Sequence, residues 1–422
     1  MNNTPLIIIS LDALGYCDEE TYKNLPFLKS IIEKGTWIRK VESIYPTLTY
    51  PIHSTIVTGR YPIEHGVDNN LLVQPEKKAM DWYWDHDYIS GDTILKNAHK
   101  KGLKIAAFSW PVSAKADIEF NVPEVSPNPV GTYIDHLKEN GSGEYIEELQ
   151  SVFGPFNSCD SQKKKDEWMA NATAYTFEKH QPDITFLHLI DVDHQKHVYG
   201  STHFAITDAI KELDDRLKRM FEKISKVKNL DEINIMLLSD HSQIDTAYPI
   251  RLNKVLADMD LVNVNEDGTV KEDWQAYFLT CGGSTALYTK EDNPKLVAEI
   301  KEKIESLNIE GIDQIFTTEE ISDLKSSDRA KLWIEAKEGY VFDADARDFV
   351  ESRDKEPGPR GNHGFLPSKE KNLAIAIFKG PAFKESKTIE NEKIVDIAPT
   401  INKIYDLEIK NMSGSVINEC LR

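Results

Sequence analysis

LIIISLD (Leu6–Asp12) is a continuous apolar run that stops on a carboxylate. Its first residues show no polar alternation, so they read as a strand buried on both faces rather than one half open to water. KIAAFSW (Lys104–Trp110), ITFLHLI (Ile184–Ile190), INIMLLS (Ile233–Ser239) and LAIAIF (Leu373–Phe378) share this character. Amphipathic stretches separate them. The clearest runs from Phe204 to Ile224, with Ile206, Ile210, Leu213, Leu217 and Phe221 on one stripe. Strands alternating with helices predict an α/β fold, a largely parallel central sheet with helices on both faces.

From about Ile250 to Asp354 the pattern changes to QAYFLTCGGSTALYTK, a helix over Asn293–Leu307, and LWIEAKEGYVFD. This predicts an inserted α+β cap subdomain over 250–354 and a core made of 1–249 and 355–422. A second insertion of polar helices is expected over Asn128–His180, with Lys163, Lys164 and Lys165 as a solvated helix face.

The chain has 422 residues, 40% hydrophobic and 28% charged, with a formal charge of −20. That balance excludes wrapping a nucleic acid polymer, which needs a basic surface. It leaves room for a small phosphorylated substrate beside divalent metals. No apolar run approaches the roughly 20 residues of a membrane span, and the N-terminus lacks a basic n-region. A cytoplasmic protein without membrane contact is expected. The four cysteines are widely spaced with no CxxC pair, so no disulfide framework is expected. The oligomeric state stays open.

Ligands of such sheets bind beyond the carboxyl ends of the strands. There the sequence places Asp12; Asp193 and His197 in IDVDHQKHVYG; Asp240 and His241; and His363, in PGPRGNHGF before the last apolar run. Three carboxylates and three imidazoles make two sets of three metal ligands, suited to zinc and also to manganese. Each alone is ordinary: an Asp after a strand commonly caps a helix, and DxxxH is a common surface pair. Their order at consecutive strand ends carries the reading. Thr49 lies in YPTLTYPIHSTIVTGRYPIEHGVDNN (Tyr45–Asn70), at the entrance of a short helix with Pro51 in its first turn. It reads as a nucleophile or as a plain N-cap, with Thr47 as local competitor.

This segment resembles the nucleophile region of the nucleotide pyrophosphatase/phosphodiesterases of the alkaline phosphatase superfamily, where a threonine precedes an aromatic–Pro pair and a helix ending in a TG turn. IVDIAPTINKIYDLEI is similar to the superfamily's C-terminal helix. The resemblance implies a hydrolase of phosphate esters, a phosphodiesterase acting through a phosphothreonine on Thr49 with two zinc ions. One would be held by residues matching Asp12, Asp240 and His241, the other by Asp193, His197 and His363. It implies Asn70 as a phosphate-oxygen contact and Trp110, in FSWPVSA, as a pocket wall. Nucleotides are among the substrates it suggests. The chain departs from the pattern at Ile52, where relatives carry Asn, and in DHQKH, which lacks the glycine of DxxGH. Trp82, Tyr83 and Trp84 read as rim or lid packing, His65 as structural and His194 as a neighbour of the ligands. A phosphomonoesterase or phosphonate hydrolase on the same scaffold is the alternative within the enzyme class. A non-catalytic metal-binding module is the alternative outside it.

Overall fold

The computed structural model describes residues 4–125, 132–156, 159–266, 268–352 and 360–422. The strands are β1 (Leu6–Leu11), β2 (Thr36–Glu42), β3 (Ile105–Phe108), β4 (Phe120–Val122), β5 (Ile184–Leu189) and β6 (Asn234–Leu238). They continue as β7 (Ile244–Ile250), β8 (Ala276–Thr280), β9 (Ser284–Thr289), β10 (Ile312–Thr317) and β11 (Leu332–Ala336). β12 (Gly339–Phe342), β13 (Gly361–Asn362), β14 (Ala374–Lys379) and β15 (Lys387–Lys393) complete the order.

The central sheet runs β15-β2-β14-β6-β1-β5-β3-β4. β14 is antiparallel to both its neighbours, and every other pairing is parallel. β1 lies between β5 and β6 and shows why its sequence does not alternate. Ile7, Ile9 and Leu11 enter one core and Leu6 and Ile8 the other, because successive side chains point to opposite faces and both faces are covered. The helices Gln162–His180 and Phe204–Ile224 cover the first face; Thr49–Thr58, Ile94–Lys100 and Ile397–Tyr405 cover the second. Each apolar run read as a strand is one, to within a residue or two at its ends.

The antiparallel setting of β14 has a consequence for the site. Its N-terminal end lies where the parallel strands have their C-terminal ends, so the loop before it brings His363 to the same edge as Asp12, Asp193 and Asp240. β2, parallel to β15, leads at that edge into the Thr49 segment.

A second, four-stranded antiparallel sheet, β10-β11-β9-β8, lies within 276–336, and the helix Pro294–Ser306 packs Ile300 and Ile304 into its core. Tyr45 and Leu48, just before the nucleophile segment, join that same core. β7 pairs with β12 on one side and β13 on the other. The boundary expected at 354/355 and the start of the Asn128–His180 segment lie outside the described residues. From Tyr133 onward that segment differs from a polar insertion. Its helices bury Leu137, Ile146, Leu149, Trp168, Met169 and Phe177 in the main core. Lys163 and Lys164 are exposed, whereas Lys165 is half-buried. All four cysteines are unpaired, and among the described residues no helix is long and apolar enough to cross a membrane.

Candidate active site

The six expected ligands converge. Asp193, His197 and His363 place one donor atom each within 4.8 Å of one another, as do Asp12, Asp193 and His241. Asp240 Oδ2 lies 3.4 Å from His241 Nε2, and Asp12 Oδ1 lies 3.8 Å from the same nitrogen. Asp193 thus stands between the two halves of the cluster. The rings of His241 and His363 stack at 4.2 Å. Thr49 Oγ1 is 3.5 Å from His241 Nε2 at the first turn of its helix.

The donors are poised for cations. Asp12 Oδ1 and Asp240 Oδ2 are buried without a hydrogen-bond partner among the described residues, a costly state unless a cation satisfies them. Burial and the neighbouring carboxylates of Asp240 and Asp193 push Asp12 well above the usual carboxylate range; burial raises Asp240 as well. Burial acts to raise Asp193 too, but the imidazoles of His197, His363 and His241 outweigh it and leave it lowered. Burial lowers His241 to about 4 and His363 to about 3, so both rings are neutral and ready to ligate. His197 donates through Nδ1 to the Gly361 carbonyl at 2.8 Å, which leaves Nε2 bare toward Asp193 at 3.4 Å.

The two threonines separate cleanly. Thr47 is fully buried, and its Oγ1 donates to the Phe365 carbonyl at 2.9 Å. It also accepts from Gly364 N–H at 3.0 Å and Asn372 Nδ2 at 2.7 Å. It therefore ties down the loop of His363. Gly364 is required there: its φ is +84°, and a Cβ would fall 1.6 Å from the Cys281 carbonyl oxygen. The Thr49 hydroxyl has only the His241 contact among the described residues, and no described group occupies its N–H at the helix N-terminus. Gly59 ends that helix in the left-handed region, φ +67°, giving the TG turn its structural sense.

Asn70 reaches the same place. Its Oδ1 accepts from the Tyr50 N–H at 2.9 Å, and no described protein group takes its amide N–H. The turn that carries it is held from the second sheet. Arg329 bonds both oxygens of the buried Asp68 and also Tyr83, and Asn69 donates to Cys281 Sγ at 3.0 Å. Trp110 is placed elsewhere than at the expected pocket wall. It is wholly buried, edge-on to His53 and tilted against Phe186, because its segment turns into the core after β3. A cavity of about 440 Å³ is walled instead by Tyr50, the residue after Thr49, with Trp82, Tyr133 and Phe156, and Glu124, Lys165 and Asp166 are its charged members.

His65 bonds Thr55 and the Val67 N–H within its own segment, and His194 is exposed on its helix. Sequence reading missed three buried supports. Lys196 donates to Asp18, the Ala13 carbonyl and Ser242. Gln243 donates to both the carbonyl and the carboxylate of Asp193. His188 bonds Asp12 on one side and Glu124 on the other. His188 had a visible signal, an ionisable residue inside the apolar run ITFLHLI; Gln243 and Glu124 had none. His53, His188 and Asp240 also cluster, but both rings are already bonded: His53 to the Thr49 carbonyl and Ser10, His188 as described.

The model of the type I phosphodiesterase / nucleotide pyrophosphatase family matches residues 6–366. Human ectonucleotide pyrophosphatase/phosphodiesterase family member 1 is 27% identical over 275 residues, 62% of this chain and 26% of that protein. Venom phosphodiesterase of Macrovipera lebetinus is 28% identical over 251 residues, 56% of this chain and 25% of that protein. The chain spans about a quarter of the length of these curated relatives. In fold it is similar to an inactive variant of murine ectonucleotide pyrophosphatase/phosphodiesterase 5 in complex with AMP. The TM-score is 0.71 at 17% identity, covering 99% of this chain and 100% of that one. The human form of that protein gives 0.70. A match that runs from β1 to the loop holding His363 takes in every expected ligand and the Thr49 segment, and the chain belongs to the type I phosphodiesterase/nucleotide pyrophosphatase family.

Proposed function

We propose that the chain hydrolyses phosphodiesters through a covalent phosphothreonine on Thr49. The observation that carries this is the position of Thr49 Oγ1, 3.5 Å from His241 Nε2 and at a helix N-terminus. Two divalent ions, zinc by the family resemblance, would be held by Asp12, Asp240 and His241 and by Asp193, His197 and His363. They supply the positive charge that favours a threonine alkoxide and neutralises phosphate oxygens.

Thr49 Oγ attacks phosphorus in line with the departing ester oxygen, so a P–O bond to Thr49 forms as the bond to the leaving group breaks. Thr49 N–H and the Asn70 amide, whose oxygen accepts from the Tyr50 N–H, would donate to the non-bridging oxygen that gathers charge. Asn70 is itself held by the Tyr50 N–H, so the donor needs little reorganisation. A water then attacks the phosphothreonine and returns Thr49 to its resting hydroxyl. The aromatic cavity formed by Tyr50, Trp82, Tyr133 and Phe156 suits a planar or apolar second arm, which a diester has and a simple monoester lacks. A nucleotide arm fits that description. Lys196, the fully buried cation near the ligands, is spent on Asp18, Ala13 and Ser242 and is turned away from any phosphate.

The test is hydrolysis of bis-p-nitrophenyl phosphate, p-nitrophenyl phosphate and phosphonoacetate by wild type and Thr49→Ala, with metal content measured on both. Diester turnover that disappears in the variant while about two metals per chain remain supports the reading. Preference for the monoester or phosphonoacetate moves the substrate class, and full turnover by Thr49→Ala removes the nucleophile assignment.

A further inference from the structure

We propose that His188 and Glu124 act as a positioning pair through which a residue of the substrate cavity governs the metal ligand Asp12. This rests on the reading of Asp12 as a ligand and adds residues to the site that sequence reading did not supply.

His188 is 1% exposed and is the next-to-last residue of β5. Its Nε2 lies 3.0 Å from Asp12 Oδ2, and its Nδ1 lies 3.0 Å from Glu124 Oε2 and 3.2 Å from the Ser109 carbonyl. All three partners are acceptors, so each ring nitrogen donates and neither is free to ligate a metal. Fixing Asp12 Oδ2 leaves Oδ1 as the oxygen aimed at the cluster, buried, unpartnered and 3.8 Å from His241 Nε2. The ring thereby selects which oxygen of Asp12 is offered. An outer-shell partner of this kind sets both the orientation and the basicity of its ligand.

The far end of the pair reaches the substrate. Glu124 lines the aromatic cavity, with 20% of its side chain exposed, and its Oε1 accepts from the Tyr50 hydroxyl at 3.4 Å. Tyr50 directly follows Thr49. The route Tyr50–Glu124–His188–Asp12 therefore leaves the nucleophile segment on the cavity side and arrives on the ligand side. His53 closes against the ring at 4.6 Å, and Trp110 packs on His53, which gives Trp110 a part in holding the pair rather than in touching substrate.

The two nitrogens can be tested separately. A glutamine amide nitrogen superposes on imidazole Nε2 and an asparagine amide nitrogen on Nδ1. His188→Gln therefore keeps the donor to Asp12, and His188→Asn keeps only the donor to Glu124. The measurement is Zn²⁺ affinity of the full chain, stripped with EDTA and titrated in competition with a chromophoric chelator, alongside melting of the metal-free protein. His188→Asn should bind zinc about 10-fold to 100-fold more weakly than wild type. His188→Gln, which keeps the donor to Asp12 but loses Glu124, and Glu124→Gln, which keeps an acceptor but not its charge, should both fall between wild type and His188→Asn. Asn and Gln variants of equal affinity would show that His188 merely fills space, and overturn the pair. Should neither His188 variant fold, Glu124→Gln decides alone, with wild-type zinc affinity overturning the proposal. A wild-type chain that takes up no zinc sinks the metal reading and this pair together; normal wild-type binding with indifferent variants sinks only the pair.

Discussion

Lys196→Met removes a buried charge while nearly preserving the shape around it. The Lys196 side chain is 0% exposed, and its ammonium donates to Asp18 Oδ2 at 2.7 Å, the Ala13 carbonyl at 2.9 Å and Ser242 Oγ at 3.1 Å. Burial works against the ammonium, but Asp18 outweighs it and keeps Lys196 charged. Methionine has a similar length, so little of the loss comes from an empty cavity. Removing one partner of a buried pair costs about 3–5 kcal/mol. Asp18 keeps the Gly15 N–H at 2.9 Å, which places the pair at the low end, about 3 kcal/mol. The Ala13 carbonyl loses its donor for about 1 kcal/mol more. The expected loss is about 4 kcal/mol, read from urea denaturation in EDTA. The site should feel it too. Ala13 sits at φ +59°, with its N–H on Asp240 Oδ1 at 3.3 Å and its carbonyl on Lys196, so the turn carrying Asp12 is clamped from both sides. Zinc affinity should fall about 10-fold. Adding Asp18→Asn should restore about 2 kcal/mol of stability, because the uncompensated carboxylate is then gone. A loss under about 1 kcal/mol, or a double variant no more stable than Lys196→Met, would refute the account of Lys196 as a buried, charge-paired clamp.

Two further outcomes follow from the same structure. Burial lowers His65 to about 3, so below about pH 6.5 the unfolded chain takes up a proton that the folded chain refuses. Stability present above that pH is lost as pH falls. At pH 5 the difference amounts to about 2 kcal/mol, and His65→Gln should remove that part of the slope in urea unfolding at pH 7.5 and pH 5. A variant with the wild-type slope would assign the acid sensitivity elsewhere. Arg329→Ala should cost only about 1 kcal/mol of stability, since half of its side chain is exposed. It should nevertheless lower kcat on the diester by about 10-fold to 100-fold, because the Asp68–Asn70 turn loses its bidentate anchor. Unchanged kcat would show that the turn holds without Arg329.

What the sequence disclosed depended on whether the signal was local. β1, β3, β5, β6 and β14 are buried throughout and mostly apolar because both faces are covered, and such runs are legible without any partner. β2, TWIRKVE, and β15, KTIENEK, are not: β15 is the sheet's edge and β2 lies next to it, both have partly exposed faces, and only pairing across the chain makes them strands. The convergence of the expected ligands was legible because strand ends are marked by the strands themselves. His363 was harder, since it reaches the edge only because β14 runs antiparallel. Thr47 and Thr49 are chemically alike in sequence, and what separates them is that Phe365, Gly364 and Asn372 consume the Thr47 hydroxyl. The WP segment looked like a pocket wall, yet Trp110 is drawn inward by His53 and Phe186, contacts no local pattern encodes.

The charges around Thr49 argue for a diester over a monoester. Lys196 offsets Asp18, and His188, held protonated by Asp12 and Glu124 despite burial, offsets Glu124. That leaves the carboxylates of Asp12, Asp193 and Asp240 facing His241 and His363, which burial keeps neutral. Two divalent cations bound among three carboxylates leave a single positive charge while Thr49 is a neutral hydroxyl. A phosphodiester brings one negative charge and cancels it; a monoester dianion brings two and leaves the buried pocket negative, which is unfavourable without another cation at the phosphate. If that balance sets the preference, p-nitrophenyl phosphate should gain on the diester as pH falls and the monoester becomes a monoanion. The ratio of the two kcat/KM values cancels any titration of the free enzyme that affects both substrates alike. A ratio that moves toward the monoester dianion as pH rises would mean that another group meets the extra charge, and the aromatic cavity alone would then have to account for any diester preference.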